Sequence, residues 1–155
     1  MPELVTIKAE RPDSADAMAL IAELENHLAP QYPVESRHGF SVEKLIAQGV
    51  AFFVTRYEGQ PVGCGGIKLF GTEYGELKRM YVRPSFRGKG LAKLMVEHLN
   101  AYAQSQGVTL VRLETGIYQT EAIGLYERMG FYRIKPFGEY REDPLSLCYE
   151  KQLIG

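Results

Sequence analysis

A chain of 155 residues with 45% apolar and 24% charged residues suits one ordinary globular domain, long enough to bury a core without disulfide or metal staples. Eighteen Lys and Arg against 19 Asp and Glu leave a formal net charge of -1, so no overall field draws nucleic acid or an anionic membrane. The apolar runs are too short to span a bilayer and the N-terminus lacks a basic segment followed by a hydrophobic core, which points to the cytoplasm.

In chain order, Val5 to Ala9 reads as a short strand. Asp13 or Ser14 can cap a helix whose apolar face is Ala17, Leu20, Ile21, Leu24 and Leu28, and Pro30 and Pro33 end it. Residues 31–40 form a polar loop and Val42 to Ala47 a second short helix. Strands at Ala51 to Arg56 and Val62 to Phe70 flank Glu58-Gly59-Gln60-Pro61, which makes them a hairpin. Tyr74 to Arg83 is the next strand. A long helix then places Leu91, Leu94, Met95, Leu99 and Tyr102 on one face and runs to about Gln106, closed by Gly107. A strand at Leu110 to Glu114, a short helix carrying Tyr126, and strands near Tyr132 to Lys135 and Leu145 to Gln152 follow. This order specifies an α/β fold in one domain over residues 1–155, a mixed sheet with flanking helices. Parallel pairing is expected around the β-turn-α unit of residues 77–106.

Cys64 and Cys148 lie in strand-like apolar settings and are expected to be buried, reduced thiols. His27, His38 and His98 have no Cys or carboxylate neighbour at metal-ligand spacing, so no metal is expected.

The most informative stretch runs from Arg79 to Ala92, where a strand enters a helix through Gly88-Lys89-Gly90. Glycine allows the backbone to approach a ligand closely, and the helix start offers unpaired N–H groups and a positive dipole end. That combination suits a phosphate or pyrophosphate. A Walker loop is excluded because Gly88-Lys89-Gly90-Leu91 has neither the four-residue gap nor the Lys-Ser/Thr pair. A dinucleotide fingerprint is excluded because Lys93 stands where its third glycine belongs.

What remains, Arg87-x-x-Gly90-x-Ala92, resembles the Gln/Arg-x-x-Gly-x-Gly/Ala signature of the GCN5-related N-acetyltransferases (GNAT), and Met80-Tyr81-Val82-Arg83-Pro84 is similar to the strand that leads into it. Downstream, Ala122-Ile123-Gly124-Leu125-Tyr126-Glu127-Arg128-Met129-Gly130-Phe131 resembles the family's Ala-x-x-Leu-Tyr-x-x-x-Gly-Phe segment. One departure is Gln119, where the family often carries Asn. The Pro136 to Tyr140 and Glu142-Asp143-Pro144 stretches resemble those of bacterial small-molecule members.

The resemblance implies a mostly antiparallel sheet with one splayed parallel pair and acetyl-coenzyme A as co-substrate in the splay. The pantetheine would run along Met80, Tyr81 and Val82 and reach Gln119, and the pyrophosphate would meet Arg87, Gly88, Lys89, Gly90, Leu91 and Ala92. Of the nearby cations Arg83, Arg87, Lys89 and Lys93, Arg87 and Lys89 are favoured for the phosphates, mainly through their backbone. Tyr126 is implied as the acid toward the leaving sulfur and Glu76 as the base, with Glu114 or a water as the alternative base.

Acceptor contacts are expected from residues 31–38 and 138–143. Arg37 or His38 would hold a carboxylate, Glu142 or Asp143 an ammonium, and Tyr140 would add an aromatic wall. The implied partner is a small-molecule amine such as an amino acid, with a homodimer as a further candidate and neither nucleic acid nor membrane. A non-catalytic coenzyme-A-binding module is the alternative from another class. A protein-lysine acetyltransferase is disfavoured because the charge balance offers no acidic groove for basic tails.

Overall fold

The protein's structure, a computed structural model, describes residues 4–153. The elements are β1 (Val5–Ala9), α1 (Ala15–Leu28), α2 (Val42–Ala47), β2 (Ala51–Tyr57), β3 (Gln60–Phe70), β4 (Tyr74–Val82), α3 (Leu91–Ser105), β5 (Leu110–Gly116), α4 (Thr120–Arg128), β6 (Tyr132–Ile134) and β7 (Ser146–Gln152). Of the two candidate caps for α1, Ser14 does the work: its hydroxyl accepts from the Ala17 N–H at 3.1 Å, whereas Asp13 is occupied by Arg11 at 2.9 Å. Ser41 caps α2 in the same way through the Lys44 N–H. The polar loop between these helices contains a single 3-10 turn at Val34–Ser36, and another at Pro84–Phe86 bridges β4 to the glycine loop.

Seven strands make one sheet in the order β1-β2-β3-β4-β5-β7-β6. Every pairing is antiparallel except β4 with β5, and that parallel contact holds only Gly75 to Val111 and Glu76 to Arg112. Past Glu76 the two strands part. β5 stays with β7, to which its full length from Leu110 to Gly116 is paired on the other edge. β4 in turn follows β3, with a bulge where the register slips between Cys64 and Gly66. Arg79 sits in that bulge with φ of 55°, a left-handed conformation rare for a residue with a side chain.

Two cores cover the faces of the sheet. On one, Met95, Val96, Leu99 and Ala103 of α3 pack with Val111, Leu113 and Tyr149. On the other, Leu20, Ile21 and Leu24 of α1 and Leu45 of α2 pack with Phe52, Val54 and Cys64. Both cysteines are free and buried, and burial pushes the Cys64 thiol up to about 12, which keeps it an inert small hydrophobe.

The bulge brings β3 and β4 close at Gly63, where a Cβ would stand 2.7 Å from the Tyr81 carbonyl oxygen. Backbone cannot yield there as a flexible side chain could. Gly63→Ala is therefore expected to lower the unfolding free energy by about 1–3 kcal/mol. Urea titration checks this, and an unchanged midpoint would show that the β3–β4 contact gives way.

Candidate active site

The parting of β4 and β5 opens a cleft of about 670 Å³, walled by residues 77–82 on one side and 113–116 on the other. Strand edges that leave their partner present unpaired backbone N–H and C=O groups, so this wedge can accept an extended ligand in the manner of an added strand. At its mouth, Gly88 and Gly90 both adopt left-handed φ values, 81° and 76°, and α3 begins at Gly90 with no side-chain cap. The first-turn N–H groups of α3 are thus left for an anion.

Most of the residues expected at a coenzyme site come together here. Met80, Tyr81, Val82, Arg87, Gly88, Gly90, Leu91, Ala92 and Gln119 all line the cleft. Lys89 does not: its ammonium lies over the Tyr57 ring at 5.4 Å. Arg83 is also removed, because its guanidinium holds Glu23 through two nitrogens and donates to the Pro61 carbonyl at 2.7 Å. Arg83 in turn keeps the Glu23 carboxyl below the usual carboxylate range. Lys93, in the first turn of α3, lines the cleft together with Arg87.

Tyr126 is buried on α4, ring edge against Phe131, and faces the cleft. Burial alone pushes its phenol pKa up, so it keeps its proton through the physiological range. Gln119 directly precedes α4 without a side-chain capping bond, and instead donates to Gln31 at 2.6 Å and to the Tyr32 hydroxyl at 3.2 Å, while Tyr32 also accepts from the Tyr118 N–H at 2.9 Å. The lengthened amide therefore ties the end of α1 to the turn before α4 and closes that wall.

Glu76 is placed differently from the expectation that it faces the reacting amine. It is 4% exposed, is not among the cleft-lining residues, and binds the Lys78 ammonium at 2.8 Å and the Tyr140 hydroxyl. The two side chains, two residues apart on β4, neutralise each other. Lys78 also lies 4.0 Å from the Phe40 ring centroid. Desolvation pulls the Lys78 pKa down against the counter-pull of Glu76, and it pushes the Tyr140 pKa up.

Glu114, unlike Glu76, lines the cleft, at 3.2 Å from His38 Nδ1 and 2.6 Å from the Ser146 hydroxyl, which donates to it. His38 lines the cleft and stands edge-on to Tyr140, ring centroids 5.2 Å apart. Those partners lie 76 and 102 residues away along the chain, so no local spacing could have paired them. Of the remaining acceptor candidates, Arg37 and Tyr140 line the cleft, whereas Glu142 lies in a separate depression beside Arg141 and Asp143. Asp143 is engaged with Ser36 and the Leu145 N–H, which hold its carboxyl below the usual range.

Residues 21–131 match the acetyltransferase (GNAT) family. The chain is 42% identical over 151 residues to an "IAA acetyltransferase" of Azospirillum brasilense, covering 96% of this chain and 98% of that protein. Among solved structures it resembles an acyl-CoA N-acyltransferase-class protein of Klebsiella pneumoniae, with 35% identity, a TM-score of 0.82 and coverage of 97% and 99% of the two chains. It also shares the fold of a GNAT acetyltransferase of Elizabethkingia anophelis determined with acetyl-CoA bound, at 16% identity and a TM-score of 0.71, over 98% of this chain and 100% of that one.

The buried Glu76–Lys78 pair makes a stability prediction with a definite pH sign. The folded Lys78 pKa lies below its ordinary 10.5, so between the two values the unfolded chain holds a proton that the folded chain lacks. Its contribution to stability is complete above 10.5 and is lost as the pH falls through the folded value. Glu76→Gln, which leaves the ammonium unpaired, is expected to cost about 3 kcal/mol at neutral pH, with the deficit shrinking as pH rises toward that window. Urea titrations at several pH values check this, and a deficit independent of pH would remove Lys78 as its cause.

Proposed function

Because the chain belongs to the GNAT acetyltransferase family, we propose that it transfers the acetyl group of acetyl-coenzyme A to the primary amine of a small molecule, an amino acid or related amine, by direct attack in a ternary complex. The observation that carries this reading is the junction of the β4–β5 wedge with the uncapped, glycine-lined start of α3. The wedge suits the pantetheine, with β4 at Met80 and Val82 supplying backbone partners, and the N–H groups of residues 87–92 suit the pyrophosphate. That the Elizabethkingia relative of this fold holds acetyl-CoA supports the same ligand here.

In the reaction a C–N bond forms, the thioester C–S bond breaks and the amine loses a proton. The base we assign is His38, with Glu114 as its positioning residue: the Glu114 carboxylate engages Nδ1 and leaves Nε2 to take the amine proton. Burial makes the Glu114–His38 pair a stronger electrostatic unit than it would be in water. Tyr126 donates a hydrogen bond to the sulfur as negative charge develops there. Its raised pKa suits that role, since the phenol is never lost as a donor in the working range.

Calorimetry tests the ligand directly. Acetyl-coenzyme A is expected to bind wild type in the micromolar range, and folded Gly90→Glu to lose binding, because a carboxylate would stand among the phosphate-binding N–H groups. Unchanged affinity in that variant would overturn the reading. Tyr126→Phe is expected to reduce kcat on the order of 10²-fold with coenzyme affinity preserved. His38→Ala is expected to remove the acidic limb of the kcat/KM profile against pH. A retained limb would transfer the role to Glu114 alone or to water.

A further inference from the structure

Two guanidinium groups share one carboxylate on the wall of the cleft opposite α4. Arg79 binds Glu25 through Nη2, and Arg37 Nη1 lies 3.8 Å from the same carboxylate. The Nε atoms of both arginines are buried and have no hydrogen-bond partner among the described residues. The Arg79 side chain is 3% exposed and that of Arg37 25%, against 41% for Glu25. The cations are held in the protein while their carboxylate reaches in from solvent.

Burying a charge without a full set of partners is costly, and Arg79 carries a second cost in its left-handed backbone. A bulge and a strained residue that together deliver an under-partnered guanidinium to a ligand cleft are what a recognition site requires. Of the other charged groups at the cleft, Lys78 is matched with Glu76 and His38 with Glu114, while Arg87 and Lys93 belong to the glycine loop and the first turn of α3, and Glu121 and Arg128 to α4. Arg37, Arg79 and Glu25 are left with a surplus positive charge, and all three line the cleft.

We propose that Arg37 and Arg79 form a clamp for a carboxylate of the acceptor, making the substrate class a small amine that also bears a carboxylate. Arginine forks suit a carboxylate better than a point charge would. Arg37 and the proposed base His38 are consecutive in the chain, so the clamp and the amine site are neighbours, which favours acceptors whose amine and carboxylate are separated by few bonds. Glu25, the wettest of the three, yields to the incoming carboxylate or shares the fork with it. The inference rests on the transferase reading above and adds the acceptor's charge to it.

Gly39 supplies an independent handle on Arg79. A Cβ on residue 39 would overlap the end of the Arg79 guanidinium, although the Gly39 backbone itself is one that any residue can adopt. Gly39→Ala therefore displaces the guanidinium without deleting it, and Arg37→Gln removes the other half of the clamp at a partly exposed position.

The test is a thiol-release assay with the twenty common amino acids, each beside its carboxamide and its decarboxylated amine, with acetyl-coenzyme A binding followed by calorimetry in parallel. Wild type is expected to acetylate at least one acid with a kcat/KM tenfold or more above its amide and amine. In Arg37→Gln and in Gly39→Ala that preference should fall toward unity, through KM for the acid, with coenzyme affinity retained. Amides or amines used as well as the acids, a preference unmoved in both variants, or binding of acetyl-coenzyme A with no amino acid acetylated would each overturn the clamp and leave the transferase reading standing. Failure of wild type to bind acetyl-coenzyme A would overturn both.

Discussion

The site exists because β4 and β5 are hydrogen-bonded over two residue pairs and then separate. A parallel pair would normally continue, since each rung satisfies backbone groups that are costly to leave unpaired. Here β5 is anchored along its whole length by antiparallel pairing to β7, and β4 is drawn the other way by β3 and the bulge at Arg79. The result is a wedge with polar strand edges on both walls. α3 starts at the mouth of that wedge and packs under it through Leu91 and Met95, so the helix N-terminus is aimed where the strands open.

A second consequence of the wedge is that charges enter the protein interior with it. Glu76, Lys78 and Arg79 lie within four residues of one another on β4 and are all less than one-tenth exposed. The low effective dielectric there strengthens each pairing and makes each missing partner expensive. Glu76 and Lys78 resolve the problem between themselves with the Tyr140 hydroxyl, and Tyr140 then buttresses the His38 ring. The positive φ at Arg79 sends its side chain to the α1 side, where Glu25 meets it. These strand residues thus serve two different ends, and the bulge is what separates Arg79 from the Glu76–Lys78 pair.

How far the sequence could be read follows from where the determining interactions lie. Local signals were sufficient for the elements: apolar spacing for α1 and α3, Ser14 at the start of α1, Gly59 in the β2–β3 turn, where φ is 83°, and Gly130 after α4, where φ is 92°. The glycine loop was legible for the same reason, since a left-handed residue before an uncapped helix is a property of a few consecutive residues. Glu76 was expected as the base from the resemblance, but a position on a strand does not say which side chains wait beside it, and here Lys78 and Tyr140 take it. Lys89 was expected to meet the phosphates mainly through its backbone; its ammonium lies over the ring of Tyr57, thirty-two residues earlier.

The sequence by itself determined the α/β order of elements, the loop that suits a pyrophosphate, the position of Tyr126 on its helix and the inert cysteines, all of which depend on neighbours within a turn or a strand. Only the tertiary structure decided that Glu114 rather than Glu76 lines the cleft, that His38 joins Glu114, that Arg37 and Arg79 converge on Glu25, and that Gln119 binds Tyr32 and Gln31. Each of these contacts joins residues more than ten positions apart. Their pairing is set by how the strands splay and the helices pack, and spacing along the chain carries no record of that.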